Sequence, residues 1–268
     1  MYDSRSVAVS PRHQVRLAQE YVPLLERAPQ SDFVVRTIET RAAAGLPLMA
    51  AEIVIAGRAT RERHALARTY PLHFRKTHFP GSLHVDPKLE LEHTERAAMH
   101  VPVPLPIGFE ARVYRSCLVP GTPYRRLSPF QFEPEESNLP RAIELPLATA
   151  VGLWRLVEEA FARVRALHAA GLAHGDLALQ NIVVCPAPLE VVLVDFEKVA
   201  ERERLEPEAW QARCADDLAG LLREAVLLQI ALGRQTGPLA ELALGRVPEL
   251  FGDAERFRRA IDERPRRA

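Results

Sequence analysis

Apolar positions recur on one helical face near the start of the chain. Val15, Leu17, Ala18, Val22, Leu24 and Leu25 fall roughly on one side, and a second run extends from Ser31-Asp32 to Ala44. Both runs are predicted helical, with Pro23 kinking or dividing the first and Gly45 and Pro47 ending the second. From Ala51 the texture changes to short runs at 52–56, 64–70 and 72–79, which predict strands. Asp86-Pro87 reads as an N-cap with proline at the first helical position, so a helix is expected from 87 to about 100. The stretch 101–107 alternates valine and leucine with proline, which favours an extended segment at a sheet edge. Another strand is expected over 112–119, closed by Pro120-Gly121.

A polar, proline-rich connection covers 122–146. A long amphipathic helix follows over 147–170, stopped by Gly171, a residue suited to the position just past a helix end. Then come a loop at 174–180, strands at 182–185 and 191–194, an apolar helix over 217–232, and a short helical remainder. Leu205-Glu206-Pro207-Glu208 reads as a helix start with proline in the first turn. Strands gather in the first half and helices in the second, an α+β arrangement of two lobes. Three segments are expected: an N-terminal helical extension (1–50), a strand-rich lobe (51–119) and a helical lobe (120–268).

Composition narrows the function. A chain of 268 residues can bury a sizeable core, and no apolar run approaches the roughly 20 residues of a membrane helix. The N-terminus lacks the apolar stretch of a secretory signal. Cys117, Cys185 and Cys214 are odd in number and widely spaced, which suits a reducing cytoplasm and no zinc cluster. The net charge is zero, so nucleic acid is not an expected partner. The basic stretch 256–267 is interrupted by Asp262 and Glu263 and reads as a solvated helix end. Of 35 basic residues only Lys76, Lys88 and Lys198 are lysines.

The strongest chemical signal is His174-Gly175-Asp176-Leu177-Ala178-Leu179-Gln180-Asn181, with Asp195-Phe196-Glu197 downstream. Phosphoryl transfer needs a carboxylate to orient an acceptor hydroxyl and take its proton. It also needs hard oxygen ligands for magnesium near the phosphates. Asp176 fits the first role, and Asn181 and Asp195 fit the second. Leu72, Phe74 and Lys76 share one face of a predicted strand, which turns a lysine inward among apolar neighbours.

This pattern resembles the protein-kinase superfamily. Gly175 before Asp176 and Ala178 after it are similar to the atypical branch with an HGD loop: lipopolysaccharide kinases, RIO-type kinases and aminoglycoside phosphotransferases. The resemblance covers roughly residues 51–232 and implies a bilobal kinase-like fold binding ATP and Mg2+. It implies that Lys76 grips the α- and β-phosphates, paired with a glutamate from the helix after 86, either Glu92 or Glu95, with Glu92 favoured. Phe74 then stands where related folds keep a small residue under the adenine. Gly57 is the candidate for a phosphate-covering loop, with Arg58 or Thr60 assisting. Ser116 is a small gatekeeper, and backbone groups of Cys117 and Val119 would meet the adenine. His174 and Phe196 support the site, as does Asp217 at the head of its helix; Asp216 could do the same job or simply N-cap that helix.

The expected activity is Mg-ATP-dependent transfer of the γ-phosphate to a hydroxyl of an unidentified protein, sugar, lipid or small-molecule acceptor. The short interval after Asp195 favours a non-peptide or specialised acceptor. The alternative is a pseudokinase, a nucleotide-binding regulatory module without transfer, motivated by the poor glycine loop and by Glu197 where a glycine is usual. The N-terminal helices would brace the strand-rich lobe or dock a partner protein.

Overall fold

The computed structural model describes residues 30–41, 47–69, 71–79, 86–119, 122–123, 150–178, 181–186 and 189–231. The chain divides into two compact units. The first runs to Gly121 and takes back Ala187–Lys198; the second holds Thr122–Pro186 and the chain from Val199 onward.

The first unit is built on an antiparallel sheet. Its strands are β1 (Phe33–Arg41), β2 (Pro47–Ile55), β3 (Leu72–His78), β4 (Pro106–Glu110) and β5 (Val113–Cys117), in the spatial order β1-β2-β3-β5-β4. Two short helices, α1 (Arg58–Arg63) and α2 (Ala65–Thr69), link β2 to β3, and α3 (Pro87–Ala97) links β3 to β4.

Three expectations are corrected here. The second N-terminal run is a strand, not a helix, so the sheet begins before residue 51. Val34, Val35, Thr37, Ile38 and Thr40 are β-branched, stiff at the first side-chain torsion, and at home in a pleated strand. The alternation over 64–70 also misleads. His64 closes α1 with an extended backbone, and the helix formers Ala65-Leu66-Ala67 start a new turn. The expected helical run before Ser31 lies outside the described residues, as do Pro120-Gly121 and the remainder after Ala231. The third correction concerns the helix expected from Asp217. It starts ten residues earlier, with Pro207 at its first position, and runs to Ala231. Asp217 is therefore interior to it and caps nothing.

Residues opposite one another across strands share a face, which sorts the sheet's cargo. Lys76 lies opposite Tyr114, and Phe74 opposite Ser116. On this side α3 packs, its Thr94 Oγ1 accepting from the Tyr114 hydroxyl at 3.3 Å. The other side carries His73, Arg75, Arg115 and Cys117. There Asp32 accepts from Arg115 (2.8 Å), Arg75 (3.1 Å) and the Gly57 N–H (3.0 Å), and Arg75 also donates to Glu52 at 2.7 Å. These bonds tie the chain just before β1 to the sheet. Ala56, Ala67, Leu105, Ile107 and Cys117 form an apolar cluster in this unit.

In the second unit, α4 (Ala150–Ala169) buries Leu156, Ala160, Phe161, Val164 and Leu167, a stripe at helical spacing. It packs against α5 (Pro207–Ala231), which buries Leu218 and Leu221. Each such leucine contributes ~1.5–3 kcal/mol by leaving water. Gly171 ends α4 at φ +80°, a conformation that favours glycine. The ribbon Leu172–Ala173 pairs with Ala200–Glu201 and leads directly into the loop with Asp176.

Candidate active site

Lys76 is the centre of a charged cluster within the first unit. Its face of β3 points toward α3, and only 3% of the residue is exposed. The ammonium donates to Asp195 Oδ1 at 2.5 Å, Glu197 Oε2 at 2.6 Å and Glu90 Oε1 at 3.3 Å. Burial opposes its charge, but the Glu90, Asp195 and Glu197 carboxylates outweigh burial and hold its pKa above that of an ordinary lysine.

The helical partner is Glu90, and this corrects both candidates. Glu92 is half exposed and sits 3.6 Å from Lys88, one turn back on α3, while Glu95 is only partly buried. Helical phase explains the difference. Asp86 caps α3 by accepting from the Lys88 N–H at 2.9 Å, which fixes Pro87 as the first residue. The buried face is then Pro87, Glu90, His93, Thr94 and Ala97. Leu89 and Leu91, both only partly buried, point sequence reading to the wrong side.

Asp195 and Phe196 are positioned by burial of their neighbours. Val191, Val192 and Leu193 form the fully buried part of the strand Leu189–Leu193, and the Leu193 N–H donates to the Pro102 carbonyl at 3.0 Å. The chain then turns at Asp195 with φ +72°, a left-handed conformation that aspartate tolerates better than most residues. Phe196 is buried, and its carbonyl lies 3.3 Å from His93 Nδ1 on α3.

The loop with Asp176 lies in the second unit. Asp217 projects from α5, 2% exposed, and accepts from the backbone N–H groups of His174 (2.7 Å) and Gly175 (2.9 Å). His168 Nε2 lies 2.9 Å from the same carboxylate. Asp216 is exposed and takes no part in this support. Gly175 has φ +78°, so the glycine that marks the HGD loop answers a backbone requirement. Asn181 is buried and donates through Nδ2 to the Asp176 carbonyl at 2.8 Å, clasping the loop. Asp176 is partly exposed.

Gly57 is not part of a phosphate-covering loop. The β1–β2 connection is 42–46, and Gly57 lies beyond the other end of β2, where it caps α1. A Cβ there would lie 2.3 Å from the Ser31 backbone, so glycine serves close packing. Ser116 is buried opposite Phe74. The Cys117 N–H already donates to the Leu105 carbonyl at 2.8 Å, so that donor is not available to a ligand. Its thiol is pushed up to about 12 by burial and stays neutral. Val119 is partly buried, just before the end of the first unit. Sequence reading missed Glu90, His78, Asp32 and the contact of Glu197 with Lys76.

Comparison with known proteins adds a family match. Residues 153–236, about a third of the chain, match the lipopolysaccharide kinase (Kdo/WaaP) family. The matched stretch contains Asp176, Asn181, Asp195 and Asp217. No curated protein matches the chain. Among solved structures, it is similar to the Rio2 kinase–ADP/Mg2+–phosphoaspartate complex from Chaetomium thermophilum, at 15% identity and a TM-score of 0.47. That likeness covers 91% of this chain and 74% of the other, and is a coarse one. The HGD loop, the lysine–glutamate pair and the family match to residues 153–236 together support a kinase-type phosphotransferase similar to the lipopolysaccharide kinase (Kdo/WaaP) family.

Proposed function

We propose that this kinase binds ATP with Mg2+ and moves the γ-phosphate to a hydroxyl of a small molecule, sugar or lipid. The carrying observation is the buried ammonium of Lys76, held by Glu90 and Asp195. An amine kept charged against burial suits the binding of phosphate oxygens. Asp195 in the first unit and Asn181 in the second each carry a hard oxygen of the kind Mg2+ prefers. Bound Mg2+ would offset the charge of the phosphates. Asp176 is the base for the acceptor hydroxyl, and Asn181 holds the loop that presents it.

A non-peptide acceptor is supported by the short path from Asp195 to α5. It holds only the 3-10 turns Phe196–Lys198 and Arg202–Arg204 and the strand Ala200–Glu201. That leaves little chain for a peptide-docking platform. A cytoplasmic location belongs to the same proposal and is supported by the free thiols Cys117 and Cys214. Among the described residues no helix is long and apolar enough to cross a membrane.

Calorimetry of ATP with and without Mg2+, with γ-phosphate transfer measured on the same sample, tests the reading. Asp176→Asn should abolish transfer and leave ATP binding largely intact; equal turnover would remove the base from Asp176. Asp195→Asn should weaken the Mg2+-dependent part of binding. A second reading, a nucleotide-binding module without transfer, is favoured by one observation: Glu197 holds Lys76 at 2.6 Å. Binding without any turnover would select it.

A further inference from the structure

We infer that His78, Glu90 and Glu197 form a binding site for a divalent cation of the Zn2+ or Mn2+ kind, a donor set that shares no residue with Asp195 and Asn181, the residues proposed for Mg2+. One donor atom from each of the three lies within 4.8 Å of the others. Two of the three residues carry a buried donor atom that lacks any hydrogen-bond partner. His78 Nε2 and Glu90 Oε2 belong to residues 3% and 2% exposed, and they face each other at 3.6 Å. That gap is too long for a good hydrogen bond. It is close to the roughly 3.4 Å that separates two ligands each about 2.1 Å from a tetrahedral ion.

Division of labour within each carboxylate supports the site. Glu90 gives Oε1 to Lys76 and leaves Oε2 unpaired; Glu197 gives Oε2 to Lys76. Each therefore has a second oxygen for a metal while its first still holds the ammonium. Charge points the same way. Lys76 faces three carboxylates, so the cluster carries two uncompensated negative charges in a mostly buried place, and one divalent ion removes both. The imidazole nitrogen selects a borderline ion over Mg2+, whose preferred ligands are oxygens.

The simpler competitor is a protonated His78 paired with Glu90, which also lowers the negative charge. Metal titration separates the two. Tag-free protein without nucleotide is titrated with Co2+, followed by calorimetry and by the visible absorption of the bound ion. One Co2+ should bind with nitrogen ligation, compete with Zn2+, and survive Asn181→Ala. His78→Gln and Glu197→Gln should each weaken binding beyond the roughly 10–100-fold that loss of an outer-shell partner costs. Circular dichroism checks that both variants fold, and Glu197→Gln decides if His78→Gln does not. No stoichiometric Co2+ binding, or binding insensitive to both variants, overturns the site in favour of the His78–Glu90 pair. Binding lost only in Asn181→Ala overturns it in favour of the nucleotide metal site. Failure here leaves the ATP reading untouched, because no nucleotide is present.

Discussion

Replacing Asp217 by asparagine tests how the loop before Asp176 is held. The carboxylate accepts two backbone N–H groups and lies 2.9 Å from His168 Nε2, all while almost fully buried. Asparagine keeps the shape but has one acceptor oxygen. Its best orientation leaves that oxygen on the His174 N–H and His168, and turns the NH2 toward the Gly175 N–H. Two charge-assisted bonds become neutral ones, a loss of about 1 kcal/mol each, and one half-buried N–H loses its partner at ~1–2 kcal/mol. The expected destabilisation is ~3–4 kcal/mol. Trp210 is the reporter, since its ring stands edge-on to His168 at 6.2 Å. Urea unfolding followed by fluorescence should show the loss in a lower midpoint. Because the donor that loses its partner and the one whose bond weakens both belong to the loop, transfer should fall by roughly 10²-fold, the cost of a misplacement near 1 Å. The KM for ATP should change little, since Lys76 is held by Glu90, Asp195 and Glu197 and not by Asp217. A variant within about 1 kcal/mol of wild type and with unchanged kcat would refute the supporting role of Asp217.

Three further outcomes are expected. Glu197→Gln removes a charged competitor from Lys76 and should tighten ATP binding about tenfold, given the ~1.5–3 kcal/mol of a hydrogen bond to a charged group; calorimetry showing weaker binding would refute the competition. Gly175→Ala forces a side chain into φ +78° and should cost ~1–2 kcal/mol, measured by thermal unfolding. Acid should weaken the first unit from neutral pH downward. Burial lowers the His73 pKa from 6.5 to about 3, with Arg115 adding to it, so the fold excludes a proton that the unfolded chain takes up. Stability is therefore lost as pH falls below 6.5, by ~2 kcal/mol at pH 5. Asp32 adds a further loss between pH 3.8 and about 2: burial raises its pKa, but hydrogen bonds from Thr60 and Gly57 and the charge of Arg115 outweigh it. Urea midpoints by circular dichroism should fall between pH 7 and 5 in wild type and much less in His73→Gln.

The loop from His174 to Asn181 was legible because its chemistry is carried by contiguous residues whose types are demanded by the reaction. Lys76 was legible because strand alternation alone turns it inward. Glu90 was not, since choosing among three glutamates on α3 needs the helical phase, and the flanking leucines suggest the wrong face. The strand Phe33–Arg41 was hidden for a similar reason: Val34, Val35 and Ile38 also fit a helical stripe, and only the β-branched count favours a strand. Gly57 shows the limit of motif reading. One glycine between a strand and a helix looks like a phosphate loop until the pairing of β1 with β2 leaves it outside their connection. The burial of Asp32 under Arg75 and Arg115 had no local signal, because its partners lie 43 and 83 residues away.

The scarcity of lysine turns Lys76 into a built-in probe. Lys88 and Lys198 are exposed, whereas Lys76 is buried and held by three carboxylates. A mild acylating reagent should modify the first two within minutes and spare the third. Any event that loosens the clamp, such as nucleotide entry, then registers as a third labelled lysine in the intact wild-type chain.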